Sequence, residues 1–582
     1  MLSSSIQRKL TTLVILACVV VAIFRVITVD KTMPQGFDEP CHVGAGMEWL
    51  KNRTYRLDPV HPLLARYAIT LPLYLKGQRF PKFSAQDPRT NSAFDVGNAI
   101  LYEGGHYKRN ILLARLGILP FLGLCTILVF WWTSRCFGLL AGCIAAFLFS
   151  TLPSILAFSS MAYTDLPTAC TQFACLFAFS TWLERPSMGH TVWLGVAAGL
   201  AFSSKFTSFL FLPCAALAML TVRWWLSVEG YRDTTAKRVL RLSAAVGVGF
   251  VILWGSYGFS IGHLRYPLAV SPASAQSLHP SSSLLRVVAR KVVTANPIVP
   301  APEFFHGVLV AGTLPTTSSY LLGNMKPGGW WYFFPVAVAL KTPLSLLVLA
   351  IVGLLHAVRS AHEECWVRLM PPVAILAVFI ATLFVTYKVG TRHVLVVLPL
   401  LSVLAGGGAF LLWRLEGRNR VWARLALGLL LAWHAIASVR AQNDFLAYFN
   451  ELAPSDPSRA LVTGCDLDCG QDLLRLNQEL RARHVTHVSL GVWTSADVAQ
   501  LGFPAVDVLR PYEPVTGWVA VSARSLRTGT VTRWQNGHVS NTTNYPRDAL
   551  SWIEQYKPVA HVGKTILLYD LPPTSVEAAT PR

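Results

Sequence analysis

The most constraining feature of this sequence is a succession of apolar segments, each of bilayer-spanning length and poor in charge. They occupy Leu10 to Val29 and then about residues 111–133, 138–158, 166–183, 190–204, 206–222, 239–259, 336–357, 368–386, 392–413 and 420–440. A helix needs roughly 20 apolar residues to cross the hydrocarbon core, and it satisfies its own backbone polar groups there. The spacing therefore predicts an all-α polytopic membrane bundle of ~11 transmembrane helices. Composition agrees: 53% of the 582 residues are hydrophobic and only 14% are charged, against about 25% charged in soluble chains. The first run follows Arg8-Lys9, is long for the apolar region of a signal peptide and lacks a small-x-small cleavage site. It reads as an uncleaved first span. Residues 62–75 are apolar but begin at His61-Pro62 and carry Arg66, which suits an interfacial helix.

Lys and Arg total 50 against 30 Asp and Glu, a formal charge of +20. No zinc-finger spacing or RNA-binding signature accompanies that excess, and it is not gathered in one patch, so nucleic acid is not an expected partner. The basic residues instead flank alternate spans. With the N-terminus in the cytoplasm, Arg8-Lys9, Arg135, Arg185, Arg223 to Arg241, Arg359 to Arg368 and Arg414 to Arg424 all fall inside, as the positive-inside rule requires. The outer face then receives loops 30–110 and 260–335 of a transmembrane domain covering 1–440, and a tail, 441–582. In the tail, helix-like stretches (470–483, 547–556) alternate with β-branched runs (485–492, 517–523, 561–569). That alternation predicts a small C-terminal α/β extracytoplasmic domain.

Subtracting the charges that the topology explains leaves a short set of exceptions on the outer side. Asp38 and Glu39 stand adjacent in Phe37-Asp38-Glu39-Pro40-Cys41-His42, a few residues past the first span. A carboxylate at a low-dielectric boundary holds a proton more tightly and suits a general base, although an acidic helix N-terminus would use the same residues. His61, before Pro62, could cap the interfacial helix or face the same site as Asp38. Asp165, in Thr164-Asp165-Leu166-Pro167, is flanked closely by two spans, where an acid marks a functional site by default or caps the following helix. Lys205 sits at a junction that should face outward, where it could snorkel to headgroups or bind a lipid phosphate. Lys341 falls about a turn or two inside its span, after an aromatic cluster, Trp330-Trp331-Tyr332-Phe333-Phe334, that fits an interfacial belt. Arg392, in Gly390-Thr391-Arg392-His393, places a forked guanidinium beside a glycine, which suits phosphate. Outer acids beside outer cations are what a site needs to deprotonate a hydroxyl and hold a departing phosphate.

Taken in order, the strings 37–46, His61-Pro-Leu-Leu-Ala-Arg66, Thr164-Asp-Leu-Pro167, Ser204-Lys-Phe-Thr207, Trp331-Tyr-Phe-Phe-Pro335 with Lys341-Thr-Pro343, Gly390-Thr-Arg-His393, Tyr448-Phe-Asn-Glu-Leu452 and Asp466-Leu-Asp-Cys-Gly-Gln-Asp472 resemble one family. It is the polyprenyl-phosphate-dependent glycosyltransferases of the protein O-mannosyltransferase-like group, and the resemblance covers nearly the whole chain. It implies a GT-C fold with the active site at the outer face and a sugar donor on a polyprenyl or dolichyl monophosphate. By the same resemblance Asp38 deprotonates the acceptor hydroxyl, with Glu39 and Asp165 as neighbouring acids. Lys205, Arg392 and Lys341 would serve the donor phosphate, and His42, His61, Tyr332 and His393 the substrates. The implied chemistry is a single inverting displacement, with no cofactor and with metal independence favoured over a divalent cation.

Two departures stand out. Cys465 and Cys469 replace expected residues near Gly470-Gln471; they could bridge, although a local CxxxC is more often two free thiols. His393 stands where relatives commonly carry Tyr. The expected partners are a polyprenyl-phosphate sugar, the bilayer and an acceptor that is a protein, a glycolipid or a cell-wall glycan. The expected location is a bacterial plasma membrane. A flippase for lipid-linked glycans is the alternative function; its signature, charge near mid-span, is scarce.

Overall fold

The computed structural model describes residues 4–30, 32–83, 92–226, 234–264, 294–312, 314–360, 366–385, 387–535 and 538–572. Parts of the expected loop 260–335 and of the basic stretches 223–241 and 359–368 lie outside the described residues. The chain is an integral membrane protein. Seven described helices are long and apolar enough to cross a bilayer, or up to nine if each of two bent pairs is one span.

The helices run α1 (Ser4–Asp30), α2 (Glu39–Asn52), α3 (Leu63–Leu75), α4 (Ala93–Tyr102), α5 (Tyr107–Leu116), α6 (Leu119–Phe137), α7 (Leu139–Ser150), α8 (Pro153–Ser159), α9 (Asp165–Glu184), α10 (Met188–Phe202), α11 (Ser208–Trp225) and α12 (Thr235–Ser256). They continue through α13 (Pro302–Ala311), α14 (Phe333–Lys341), α15 (Leu344–Arg359), α16 (Met370–Ala381), α17 (Val397–Arg414) and α18 (Arg420–Arg440). Two expected straight spans are broken. Around Pro153, α7 and α8 bend by 60°, and at Thr342-Pro343, α14 and α15 bend by 117°. Each break falls where proline lacks the N–H that a continuing helix needs. Helix α9 is buried along nearly its whole length, and its Thr168, Thr171, Gln172 and Thr181 side chains bond within the protein; it is too polar to count as a span by composition. Helix α10 has only 15 residues. These two helices account for the gap between the expected count and nine.

Close helix contact uses glycine. A β-carbon at Gly353 of α15 would strike the Leu404 carbonyl of α17, so the two backbones touch as small-residue interfaces allow in lipid. Arg25, inside the first apolar run, donates to the Gln442 Oε1 at 2.7 Å and to the Ser438 Oγ at 2.7 Å. The charge is thereby satisfied at the far end of α18.

Beyond α18 stands a five-stranded sheet of β5 (His487–Gly491), β6 (Ala505–Val508), β7 (Gly517–Ser522), β10 (Ala560–Val562) and β11 (Ile566–Leu571), in the order β10-β11-β7-β5-β6. Strand β5 pairs parallel to β6 and β7, with Leu490 opposite Ala520; β11 runs antiparallel to β7. Alternation sends Leu490, Ala520 and Leu568 toward helix α19 (Leu473–Ala482) and Val519, Val521 and Tyr569 toward Leu526, Leu550 and Ile553. The β-branched runs and the helix at 470–483 thus appear as expected; β6 and the hairpin of β8 (Thr530–Gln535) and β9 (His538–Asn544) were not anticipated. Short two-stranded ladders β1 (Ile261–His263) with β2 (Ile298–Pro300), and β3 (Ser318–Leu321) with β4 (Asn324–Pro327), complete the described strands.

Candidate active site

Four segments far apart in sequence meet at the end of the bundle against the α/β unit. Asp38 occupies the N-cap position of α2 without a side-chain cap bond. Its backbone N–H donates to the buried Tyr163 hydroxyl at 3.0 Å. Its carboxylate accepts from the Arg392 guanidinium at 2.5 Å, and the same nitrogen lies 4.0 Å from Asp165. The other oxygen of Asp165 accepts from the Lys205 ammonium at 2.5 Å. The result is an alternating line, Asp38, Arg392, Asp165, Lys205. Thr164, not Asp165, takes the N-cap position of α9, so the capping alternative for Asp165 does not apply.

Arg392 owes its position to the turn before it. Gly390 has φ +94°, and a β-carbon there would lie 2.6 Å from an Asp466 oxygen. That close approach lets Asp466 accept from the Thr391 N–H at 2.9 Å and the Thr391 hydroxyl at 2.5 Å. Burial raises the proton affinity of Asp466, and Lys341 and Thr391 pull it back only in part.

The adjacent acids have different fates. Glu39 is fully buried and accepts from Arg115 at 2.9 and 2.7 Å, from the Gly36 N–H at 2.6 Å and from the Ala162 N–H at 2.6 Å. It ties the loop to α5 and to the α8–α9 connection. Side-chain exposure is 24% for Asp38 and 2% for Asp165. Among the acids proposed from sequence, Asp38 is therefore the one that meets solvent.

Lys341 is held by main-chain groups. Its ammonium donates to the Leu446 carbonyl at 2.6 Å and the Asp466 carbonyl at 2.5 Å, and lies 4.3 Å from the Phe449 ring centre. It fastens α14 to the segment leading into the C-terminal unit and is not part of the alternating line. Tyr332 packs on Trp330 and Trp331. His393 stacks between Phe334 and Tyr387. Burial and the nearby Lys205, Arg392 and His61 charges hold His393 well below the usual histidine range.

His61 does not cap α3, whose N-cap is Pro62. Its Nδ1 bonds Asp58 at 3.0 Å. Asp58 is also paired with the buried Arg66. Burial alone would raise the Asp58 carboxyl, but Arg66 and His61 hold it well below the ordinary range. His42 is buried, its ring 5.1 Å from His61 and 5.9 Å from Tyr163.

The sequence reading missed the groups that the C-terminal unit contributes. Cys465 and Cys469 are bridged, contrary to the expectation of free thiols. The Tyr163 hydroxyl donates to the Cys469 sulfur at 3.0 Å. Trp493 stacks on Phe37 at 4.0 Å, next to Asp38, and the Arg524 guanidinium covers the other side of Trp493 at 3.7 Å. Burial lowers Arg524 to about 10, with Asp38 among the charges that act on it. The only hint in the sequence was the departure at 463–472 itself.

One further feature adjoins the Lys205 turn. A cavity of about 380 Å³ between α9, α10, α11 and α12 is lined almost wholly by apolar side chains, Phe202, Phe209 and Phe304 among them. Phe202 and Phe209 flank the turn that carries Lys205.

Comparison with known proteins adds a family match over part of the chain. Residues 110–254 match the family described as dolichyl-phosphate-mannose-protein mannosyltransferase. This agrees with the group that the motifs resemble. The matched stretch holds Asp165 and Lys205; Asp38 and Arg392 lie outside it. No curated protein matches the chain. Among solved structures, the chain is similar to ArnT from Cupriavidus metallidurans bound to undecaprenyl phosphate at 14% identity and TM-score 0.47, over 95% of this chain and 97% of that one. It is similar to the oligosaccharyltransferase AglB from Archaeoglobus fulgidus at 13% identity and TM-score 0.44, over 92% and 74%. The Pmt1-Pmt2 complex of S. cerevisiae gives 19% identity and TM-score 0.32, over 43% and 33%.

Proposed function

We propose that this protein is a membrane glycosyltransferase that moves a sugar from a polyprenyl-phosphate donor to an acceptor hydroxyl, with Asp38 as general base. The acceptor O–H gives its proton to the Asp38 carboxylate. Its oxygen bonds the anomeric carbon from the face opposite the phosphate, and the bond from that carbon to the phosphate oxygen breaks with inversion. Lys205 and Arg392 hold the departing lipid monophosphate, a role that side-chain cations fill without a divalent ion. Phosphate is already a good leaving group, so no acid need protonate it. The apolar cavity beside the Lys205 turn accommodates the start of the prenyl chain.

The observation that carries the reading is the alternating line itself: Asp38, the partly exposed acid, is 2.5 Å from Arg392, and Asp165 holds Lys205 beside it. Asp165 keeps both cations oriented, which is the preorganisation that electrostatic catalysis requires. The Cys465–Cys469 bridge supports placing this end on the oxidising, extracytoplasmic side of a bacterial plasma membrane. The sugar is a hexose or pentose, and the acceptor a protein, a glycolipid or a cell-wall glycan.

The test is transfer by purified protein supplied with polyprenyl-phosphate sugars. Asp38→Asn should fold normally and lose roughly 10²–10⁴-fold in turnover, the range for removing a general base. Full transfer by a folded Asp38→Asn protein sinks the role of Asp38. Movement of the lipid-linked sugar across proteoliposomes with no new glycosidic bond would favour a flippase instead.

A further inference from the structure

Behind the alternating line lies a cluster that the transfer chemistry does not use. Cys41, His42 and Asp58 each offer one ligand atom, and these atoms all lie within 4.8 Å of one another. The Cys41 sulfur is 3.3 Å from the Asp58 carboxylate. His42 is only 3% exposed, and its Nδ1 is buried without a hydrogen-bond partner in the described structure. A buried imidazole nitrogen normally finds a partner. One nitrogen of the His42 ring, the Cys41 thiol and an Asp58 carboxylate oxygen come together, the three donor types that zinc takes from proteins.

We propose that Cys41, His42 and Asp58 bind a thiophilic divalent metal ion, zinc. With zinc–nitrogen and zinc–oxygen bonds of about 2.0–2.2 Å and a zinc–sulfur bond of about 2.3 Å, tetrahedral ligand atoms stand roughly 3.3–3.8 Å apart. The Cys41–Asp58 separation already falls there, and the longest separation needs to close by about 1 Å to meet that geometry. Binding replaces the thiol proton, which passes to solvent, and leaves a metal-bound thiolate. Sulfur and imidazole donors select zinc over magnesium and calcium, which prefer oxygen. Burial already keeps His42 neutral, the form that ligates.

The surroundings are built to hold these donors. Glu48 accepts from the Thr54 hydroxyl at 2.6 Å and from the Arg56 and Leu57 N–H groups at 3.1 and 3.0 Å, fixing the turn that presents Asp58. His61 and Arg66 hold the same Asp58 oxygen, Oδ2, that faces the Cys41 sulfur and so fix the carboxylate in place. Such supporting contacts accompany metal ligands generally. The His42 N–H donates to the Asp38 carbonyl at 3.1 Å, so a metal here would lock the start of α2 and with it the backbone of Asp38. This positioning role is separate from the transfer reaction, and its test reads metal directly.

The experiment measures metal in the purified full-length protein after incubation with zinc and removal of free ion. It adds the near-ultraviolet thiolate-to-cobalt absorption after cobalt replaces zinc. A single zinc per chain and a thiolate–cobalt band are expected. Cys41→Ser should abolish the band, and His42→Ala should weaken metal affinity at least roughly tenfold. Cys125→Ser, a buried free thiol in the bundle core, should change neither. Substoichiometric zinc in the wild type, or a wild-type cobalt spectrum without a thiolate band, overturns the proposal. So does unchanged binding by folded His42→Ala. The first two readings need no variant to fold.

Discussion

Two buried lysines, both exceptions to the charge rule, have opposite settings. Lys205 pairs with the Asp165 carboxylate, which Arg392 links onward to the partly exposed Asp38. Lys341 donates to two backbone carbonyls of the segment that leads into the C-terminal unit. The same contrast separates Asp38 from Glu39, one residue apart: one shares a single guanidinium and meets solvent, the other is enclosed by Arg115 and two backbone N–H groups. A charge placed against the expected topology therefore has two uses. Where its partners are side chains in a line that reaches solvent at Asp38, it can serve the proposed donor phosphate. Where its partners are main-chain groups, it is a fastening, and no ligand replaces it without loosening the fold.

That contrast can be broken by experiment. The largest effect is expected at the alternating line. Arg392→Met or Lys205→Met should lower transfer roughly 10²–10³-fold, the scale of removing one preorganised charge donor, while leaving a folded protein. If either variant instead unfolds and its folded fraction transfers normally, the line is a fastening too. Glu39→Gln should act the other way. It removes the carboxylate charge that faces the buried Arg115 and should cost about 3–5 kcal/mol of stability, read as a fall in Tm, with turnover of the folded fraction largely kept. Lys341→Met strips two carbonyls of their donor, at about 1–3 kcal/mol for each group left unsatisfied. A Lys341→Met protein with unchanged Tm but lost donor binding would move Lys341 back into the site.

The smallest effect concerns pH. Burial and neighbouring cations hold His393 well below the ordinary histidine value of about 6.5. Between the folded and unfolded values the unfolded chain binds more protons, so stability rises with pH and falls on acidification through about pH 6.5. His393→Tyr should flatten that part of the Tm profile, because Tyr cannot take up the proton. An unchanged profile would mean that His393 is open to solvent in the working protein.

Much of the architecture was legible because it rests on local properties. Hydropathy marked the helices α1, α6, α11, α12, α16, α17 and α18, and β-branched runs marked three strands of the terminal sheet. Prolines 153 and 343 were visible, but the 117° turn at Thr342-Pro343 was not, since proline forbids a bond without dictating a direction. Helix α9 was found only because a window of apolar residues survived its Thr and Ser positions. Tyr163, Trp493 and Arg524 carried no signal, because an aromatic or an arginine near a span has many ordinary uses. The spacing of Cys465 and Cys469 leaves bridge and free thiols both open, and only the tertiary structure shows the bridge with the Tyr163 hydroxyl against it.

By itself the sequence determined that this chain lies in a membrane and which few polar residues the topology leaves unexplained, since length, apolarity and charge are read within one segment at a time. Tertiary structure decided what those residues do. Asp38 meets Arg392 across 354 positions and Glu39 meets Arg115 across 76. Whether a carboxylate is poised or enclosed depends on which distant segment arrives beside it and how much water that leaves, and no local pattern in the chain encodes that arrival.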